Sequence, residues 1–332
     1  MKPLVEIQNL VKYFDLGGDQ RVHAVDDVSL SINPREIVGL VGESVGLVGE
    51  SGSGKSALGK TVLGLHDKTD GNVSFAGQVL PQRYRASDFR AMAPKMQMIF
   101  QDPYSSLNPR MTVGEIVGEG LRLQPELSAS DVQDRVAHWL QLVGLSPDHR
   151  SRYPHEFSGG QRQRIGIARA LILQPEFVVC DEPISALDVS VQAQVVNLLG
   201  ELTQELGLTL LFIAHDLSMV RYISDRMAVM YLGGLVEVGT SAEVFFDPKH
   251  PYTQTLIASN PEADPEHERG RQSTTIQGEI PSPVNVPAGC RFANRCPQAM
   301  PHCSTTTPAL KPVPTISENL QSQRLVACHL FD

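Results

Sequence analysis

The chain has 332 residues, of which 41% are hydrophobic and 20% charged, and its formal net charge is -9 at pH 7. This length allows one large domain with an appendage, or two domains, and the acidic charge excludes broad binding to a nucleic-acid backbone, which requires a basic surface. The longest apolar runs are far shorter than the roughly 20 residues of a membrane-spanning helix, and no signal-type segment opens the chain, so we expect a cytosolic protein.

The first hundred residues alternate short β-type runs with turns. Residues 5–10, 28–32 and 72–75 are predicted strands, separated by turn signals such as Asn33-Pro34 and Asp70-Gly71. We therefore expect a β-rich N-terminal region.

An exact repeat precedes the most informative loop of the chain, because residues 38–44 and 45–51 both read VGLVGES. Only the second copy continues into a complete phosphate-binding motif. Since a strand turns tightly into such a loop, we expect residues 45–48 to occupy the sheet and residues 38–44 to be looped out, which would expose Val38, Leu40 and Val41 to water. We hypothesise that the duplication lowers stability or activity; the alternative is a duplication without consequence.

Residues 49–56 read GESGSGKS and match the pattern G-x-x-x-x-G-K-[ST]. In this motif the glycines let backbone N–H groups converge on a β-phosphate, and the following helix adds its positive N-terminus. The Lys55 ammonium would neutralise the β- and γ-phosphates, and the Ser56 hydroxyl would bind Mg²⁺. A chance glycine-rich turn is the alternative. The predicted nucleotide-binding residues of this loop are Gly49, Ser51, Gly52, Gly54, Lys55 and Ser56.

Helical and strand patterns alternate in the second half of the chain. Apolar residues recur at helical spacing over residues 112–145, and a helix is predicted over residues 189–206. It separates two strand-length apolar runs, residues 177–180 and 210–214. This alternation predicts a mostly parallel sheet covered on both faces.

The run at 177–180 ends in two carboxylates, Asp181 and Glu182. Asp181 is predicted to contact Mg²⁺, and Glu182 to orient or deprotonate the attacking water. A strand that simply enters a turn is the alternative, and the phosphate loop upstream argues against it.

Residues 157–164 read FSGGQRQR and resemble the signature motif of the ABC ATPases, in the order that this family requires. In the family, the signature of one subunit contacts the γ-phosphate held by the phosphate loop of another, so that ATP joins two ATPase subunits. The resemblance implies this role for Ser158 and Gly160, at a helix N-terminus that favours anions.

Four further positions resemble the family one by one. Tyr13 resembles the aromatic residue that stacks on adenine, and Gln101 the glutamine that links Mg²⁺ and water to the transmembrane partner. Asp188, within SALD at 185–188, resembles the loop that crosses the dimer interface, and His215 resembles the histidine at the γ-phosphate. Simple packing is the alternative for Tyr13, and a structural role is the alternative for His215.

Four of the five cysteines, Cys290, Cys296, Cys303 and Cys328, fall in the last 43 residues. In a cytosolic chain such a group indicates a metal site rather than disulfides, although its spacing fits no common zinc or iron–sulfur template. Cys180, inside an apolar run, is predicted to be a core residue.

Residues 103–110 and 250–253, together with the cysteine-containing tail, resemble the oligopeptide/dipeptide importer branch of the family, closest to its second (F-type) ATP-binding subunit. This resemblance implies a [4Fe–4S] cluster on the four cysteines, with Zn²⁺ or free thiols as alternatives.

The expected fold is α/β: an ABC-type ATPase domain over residues 1–250 with a mixed sheet, an antiparallel β subdomain and a helical subdomain at about 103–165. A small, loop-rich, cysteine-containing domain would follow over residues 251–332, which hold 11 of the 23 prolines.

The expected function is ATP hydrolysis, with ATP and Mg²⁺, that powers peptide uptake at the cytoplasmic face of the inner membrane. The expected partners are a second ABC ATPase subunit, in a heterodimer, two permease subunits and, indirectly, an extracytoplasmic binding protein, with no nucleic acid. The alternatives are a regulatory subunit with little hydrolysis, an importer for glutathione or nickel, and a soluble ABC ATPase of DNA repair or translation.

Overall fold

A computed structural model describes residues 2–18, 20–43, 46–47, 50–51, 53–124, 126–259, 281–314 and 323–332. The chain forms two compact units. Unit 1 contains residues 1–83 and 213–332, and unit 2 contains residues 84–212.

The strands, in chain order, are β1 (Val5–Gly17), β2 (Gln20–Ile32), β3 (Ile37–Val41), β4 (Gly46–Leu47), β5 (Glu50–Ser51), β6 (Asp70–Phe75), β7 (Gln78–Val79), β8 (Met96–Ile99), β9 (Phe177–Asp181), β10 (Thr209–Ile213), β11 (Arg226–Tyr231), β12 (Gly234–Thr240), β13 (Lys311–Pro312) and β14 (Leu325–Val326). The α-helices are α1 (Lys55–Val62), α2 (Ala86–Met92), α3 (Val113–Val117), α4 (Ala129–Leu142), α5 (Gly159–Leu171), α6 (Val189–Leu206), α7 (Leu217–Ile223), α8 (Ser241–Phe246) and α9 (Pro251–Ala258).

Unit 1 contains an antiparallel sheet in the order β2-β1-β6-β7. Val5 lies opposite Ile32 of β2 on one side and Phe75 of β6 on the other, and all three side chains are buried. The three strands predicted near the N-terminus lie within this sheet. The predicted antiparallel β subdomain is therefore present.

A second set of strands in unit 1 runs β13-β14-β12-β11-β3. β3 is parallel to β11, whereas β12 is antiparallel to β11, so the sheet is mixed as predicted. The prediction for the repeat was wrong. The first copy, not the second, supplies β3: Val38 pairs with Arg226 and Val41 with Val229. Val38, Leu40 and Val41 are fully buried rather than exposed.

Hydrogen bonds at the start of β3 explain why the first copy occupies the sheet. The Ile37 N–H donates to the Asp225 carboxylate at 2.8 Å, and the Asp225 N–H donates to the Ile37 carbonyl at 2.9 Å. Because these bonds anchor the residue that precedes the repeat, residues 38–41 enter the sheet directly. The surplus residues then extend the loop between β3 and α1.

Part of the second copy forms its own small ladder. Gly46 pairs with Ser51 and Leu47 with Glu50, so β4 and β5 make an antiparallel pair separate from the larger sheets. Val45 and Val48, which were also predicted to enter the sheet, lie outside the described residues.

In unit 2, β10, β9 and β8 lie side by side in that order, although Ile213, the last residue of β10, falls in unit 1. β8 and β9 are parallel, with Ile99 opposite Cys180. Cys180 is fully buried, and burial raises the pKa of its thiol, so it is a core residue as predicted. α6 spans the predicted helix and ends at Gly207, whose φ of 64° suits a helix terminus.

The helical segment predicted over residues 112–145 contains α3 and α4. Each begins with a capping box, in which the Thr112 or Ser128 hydroxyl accepts from a backbone N–H three residues later. α4 buries Val136, Trp139 and Leu140 on one face. The domain boundaries proposed from the sequence stay predictions.

The described residues after α9 form short 3₁₀ turns and the two-residue strands β13 and β14. Arg324, fully buried, holds this region to β12 through an ion pair with Glu237 at 2.8 Å. The region is loop-rich, as predicted. Among the described residues, no helix is both long and apolar enough to cross a bilayer.

Candidate functional site

The Lys55 side chain lies in unit 1, where the predicted phosphate loop enters α1. Lys55 is the first residue of α1 and is fully buried. Its ammonium donates to the Gly42 carbonyl at 2.9 Å and to the Ser53 hydroxyl at 2.8 Å. A buried ammonium held by two oxygens is already oriented for the polyanion that it is expected to bind.

Gly42 is a site residue that the sequence interpretation missed. Gly49 was expected to open the loop; among the described residues, the glycine whose carbonyl accepts from Lys55 is Gly42, seven positions earlier in the first copy of the repeat. The identical sequence of the two copies was the only signal for it. Of the predicted residues, Gly49 and Gly52 lie outside the described residues, and Ser51 belongs to β5.

Gly54 and Ser56 lie where the motif predicts, on either side of Lys55. Gly54 is the N-terminal cap of α1, with φ at 91°, and a Cβ atom there would lie 1.8 Å from the Ala24 carbonyl oxygen. No larger residue fits this turn without moving the backbone. Ser56 is buried in the first turn of α1, at the positive end of the helix.

Tyr13, the predicted adenine-stacking residue, is half-buried on β1. Its hydroxyl donates to the Asp26 carboxylate at 2.5 Å, and its ring lies 4.0 Å from that of His23 between centroids. Burial and the bond to Asp26 raise the pKa of Tyr13 to about 12, so the hydroxyl stays protonated. Asp26 therefore orients the ring, a role that the sequence interpretation missed.

In unit 2, the two carboxylates lie where β9 ends. Asp181 is its last residue, and both Asp181 and Glu182 are buried. The Gln101 side-chain amide donates to Oε2 of Glu182 at 2.7 Å, which joins two residues predicted independently.

The other oxygen of the same carboxylate, Glu182 Oε1, is also buried. It has no hydrogen-bond partner among the residues that the structure describes. An unpaired buried carboxylate oxygen is unfavourable. This oxygen therefore suits a role in accepting a proton or a hydrogen bond from water.

The predicted signature residues lie at the N-terminus of α5. Ser158 caps this helix: its hydroxyl accepts from the Gln161 N–H at 3.3 Å, and its own N–H donates to the Gln161 side chain at 3.0 Å. A Cβ atom at Gly160 would lie 2.4 Å from Cγ1 of Val191, so only glycine lets α5 approach α6 this closely. Ser158 is exposed and available to a partner.

Asp188 and His215 are both exposed. Asp188 precedes α6, and its side chain makes no capping bond to that helix. The next residue, Val189, is 77% exposed, which fits a loop that meets another subunit. His215 follows β10 by two residues. Their roles at the dimer interface and at the γ-phosphate stay predictions.

The four C-terminal cysteines are free thiols in unit 1. Burial, with a smaller effect of the charges of Cys290, Cys296 and Cys303, raises the pKa of Cys328 to about 11. The Cys290 N–H also donates to the Cys303 carbonyl at 2.7 Å. In the described parts of the chain, no three His, Cys, Asp or Glu side chains are close enough to hold one metal ion. The four thiols are therefore not arranged as a metal site among the described residues.

Comparisons with known proteins match both parts of the chain. Residues 25–185 match the ABC transporter family, and residues 236–303 match the oligopeptide/dipeptide transporter C-terminal region. The oligopeptide transport ATP-binding protein OppF of Salmonella typhimurium is 51% identical over 93% of each chain. This chain belongs to the ABC transporter ATP-binding subunits of the oligopeptide/dipeptide branch.

Two further proteins are similar to it. YkfD of Bacillus subtilis is 53% identical over 99% of this chain and 96% of its own. A dimeric ATP-binding cassette, solved in a post-hydrolysis state with ADP and Pi, is 26% identical with a TM-score of 0.64 over 71% of this chain and 98% of its own. The predictions of the ABC ATPase fold, of ATPase activity and of a peptide importer subunit are confirmed.

Proposed function

We propose that this chain hydrolyses ATP to power peptide import by an ABC transporter, as a peripheral subunit on the cytoplasmic face of the inner membrane. The observation that carries the catalytic assignment is the Glu182 carboxylate, with one oxygen held by Gln101 and the other buried without a partner among the described residues. The similarity to OppF, an oligopeptide transport ATP-binding protein, supports the choice of cargo.

In the proposed mechanism, Lys55 and the N–H groups at the start of α1 bind the β- and γ-phosphates. The Ser56 hydroxyl, the Gln101 amide and the Asp181 carboxylate are the proposed ligands of Mg²⁺, which would neutralise the charge that develops on the phosphoryl oxygens. Their side-chain oxygens are the ligands that this hard cation prefers.

Glu182 is proposed as the general base. Its Oε1 would accept a proton from the water that attacks the γ-phosphate, while Gln101 keeps the carboxylate oriented through Oε2. His215 would donate a hydrogen bond to the γ-phosphate, and Tyr13 would stack on adenine. Each of these steps uses a side chain that is already oriented by its neighbours or exposed to the ligand.

A second ATPase subunit is the proposed dimer partner, as a sister chain in a heterodimer; another copy of this chain is the alternative. The exposed Ser158, with Gly160 and the N-terminus of α5, would contact the γ-phosphate bound by that partner. Asp188 would cross the interface beside it. Closure of the two subunits on ATP would be transmitted to two permease subunits, which receive peptide from an extracytoplasmic binding protein.

The four cysteines are proposed to hold a [4Fe–4S] cluster. Four thiolates are the donors that such a cluster needs, and the hydrogen bond from the Cys290 N–H to the Cys303 carbonyl brings two of the four cysteines together. Zn²⁺ is the alternative, for which the thiols would have to approach further. When bound, the group would supply cross-links that stabilise a loop-rich region.

Hydrolysis by the full transporter, reconstituted in lipid with the partner ATPase and permeases, tests this function. Glu182→Gln should lower kcat by roughly 100-fold or more while ATP still binds, and Glu201→Gln, an exposed glutamate on α6, should leave kcat unchanged. Unaltered turnover in Glu182→Gln would remove Glu182 as the base. Tight ATP binding without turnover in the unaltered chain would instead indicate the regulatory subunit.

Cargo is tested on the same reconstituted transporter with its binding protein. Oligopeptides should stimulate hydrolysis, whereas glutathione and Ni²⁺ should not. Stimulation by glutathione or Ni²⁺ alone would overturn the peptide assignment and leave the ATPase assignment intact.

A further inference from the structure

The loop between the first two C-terminal cysteines contains two arginines, one next to each cysteine. Arg291 directly follows Cys290, and Arg295 directly precedes Cys296. Both guanidinium groups reach residues at or beside the nucleotide-binding residues of unit 1, and both side chains are largely buried. We call residues 290–296 the cysteine loop.

Arg295 binds Glu43, at the start of the connection from β3 to α1 that contains the phosphate motif. Its guanidinium contacts both carboxylate oxygens of Glu43, at 2.8 and 3.5 Å, and donates to the Tyr231 hydroxyl at 3.2 Å. Glu43 directly follows Gly42, whose carbonyl accepts from the Lys55 ammonium. Arg295 therefore restrains the residue next to the one that orients Lys55.

A second contact restrains Glu43 from the backbone side. The Glu43 N–H donates to the hydroxyl of Tyr252, a fully buried residue of α9, at 2.6 Å. The Glu43 side chain is 27% exposed, and that of Arg295 is 5% exposed. The charge-assisted, two-pronged contact between Arg295 and Glu43 orients the Glu43 carboxylate more strictly than a single contact would.

Arg291 contacts Asp26, which is hydrogen-bonded to Tyr13, the proposed adenine-stacking residue. Its guanidinium donates to the Asp26 carboxylate at 2.9 Å and also to the Leu232 carbonyl. The other oxygen of Asp26 accepts from the Tyr13 hydroxyl. A continuous chain of hydrogen bonds thus runs from the cysteine loop to the proposed adenine-stacking ring.

We propose that Arg291 and Arg295 are positioning residues for ATP: Arg295 orients the phosphate loop through Glu43, and Arg291 orients the adenine-stacking Tyr13 through Asp26. The inference rests on the proposed nucleotide site and assigns to the cysteine loop a part in ATP affinity. Neither arginine touches the nucleotide in this assignment. Each acts through an acidic residue next to, or bonded to, a binding residue.

The two arginines have separable effects, because one acts on the triphosphate and the other on the base. The probes are Mg-ATP and Mg-tripolyphosphate, which lacks adenine and ribose, and binding to the full chain is measured by calorimetry. Arg295→Ala should weaken both ligands by roughly tenfold. Arg291→Ala should weaken Mg-ATP by a similar factor and leave Mg-tripolyphosphate unchanged.

Steady-state hydrolysis provides a second readout. Because both residues act before chemistry, each variant should raise KM for ATP with little change in kcat. Arg295→Lys, which keeps the charge but loses the two-pronged contact, should recover only part of the affinity. This conservative variant also serves if Arg295→Ala does not fold.

Lys311→Ala is the matched control. It removes an ion pair with Asp332, at 2.6 Å, from the same C-terminal region, and none of its partners belongs to the nucleotide site. It should change neither ligand's affinity. The proposal is overturned if both arginine variants weaken the two ligands equally in step with melting temperature, or if neither variant changes affinity. Failure of the proposed function differs, since it appears as absent hydrolysis in the unaltered transporter.

Discussion

The carboxylate of Glu182, the proposed general base, is oriented by the backbone of its own residue as well as by Gln101. Its φ of 44° is a left-handed conformation that costs a non-glycine residue roughly 1–2 kcal/mol. Such strain persists only where surrounding structure maintains it, and it is concentrated at functional sites. Here it turns the chain at the end of β9, and Gln101 binds Oε2, so that Oε1 is the oxygen without a partner among the described residues.

The turn at Gly54 has no room for a side chain. In Gly54→Ala, the left-handed φ and the contact of a Cβ atom with the Ala24 carbonyl should together lower the free energy of unfolding by roughly 3 kcal/mol. Gly77→Ala is the matched control, because its φ is 80° and no atom lies within 4 Å of the new Cβ. It should lose only about 1 kcal/mol. Chemical denaturation of the full chain measures both, and equal losses would contradict the assignment of a clash.

Among the helices and strands, hydrophobic patterns and helix caps predicted an element correctly where only one segment of the chain fitted it. α6 begins and ends where the pattern predicted, because Gly207 stops it in a left-handed conformation. β3 was assigned to the wrong copy of the repeat, because two identical segments present the same apolar pattern to the sheet. Local sequence cannot choose between them, whereas hydrogen bonds between Ile37 and Asp225 can.

Removal of one copy of the repeat tests the cost of the duplication. Since the copies are identical, deleting residues 38–44 or 45–51 gives the same chain. In that chain, the connection between β3 and Lys55 is seven residues shorter. A shorter loop has less entropy to lose on closing, so the free energy of unfolding should rise by roughly 1 kcal/mol.

The deletion chain should also bind Mg-ATP more tightly. A shorter loop between the glycine and the lysine lowers the entropy cost of the hydrogen bond that orients the Lys55 ammonium. Replacing residues 45–48 by glycine and serine, at constant length and with residues 49–56 kept, is the control and should not reproduce the gain. Unchanged stability and unchanged ATP affinity in the deletion chain would show that the duplication has no consequence.

At the scale of the whole molecule, unit 1 combines the phosphate loop, Tyr13 and the cysteine-containing region in one compact body. The cysteine loop is the physical link, since its two arginines bond to Glu43 and Asp26. A small region with few regular elements gains rigidity from such buried ion pairs and from any group that cross-links its thiols.

The proposed cluster is tested on the full chain purified without oxygen. We expect broad visible absorbance and bound iron, and Cys328→Ala should abolish both. Cys180→Ala, which alters a fully buried thiol of β9 in unit 2, should keep the spectrum. A colourless protein that contains zinc would support the alternative, and a protein without any metal would contradict a metal centre.

The family, the ATPase motifs and most elements could be predicted from the sequence, because these depend on residues close together along the chain. Lys55, Asp181, Glu182 and Ser158 belong to short motifs whose spacing is their signal. The choice of the repeat copy that forms β3, and the contact of Gly42 with Lys55, became visible only in the folded chain. The tertiary structure alone joined Arg295 to Glu43, 252 positions apart, because long-range packing brings together side chains that no local pattern relates.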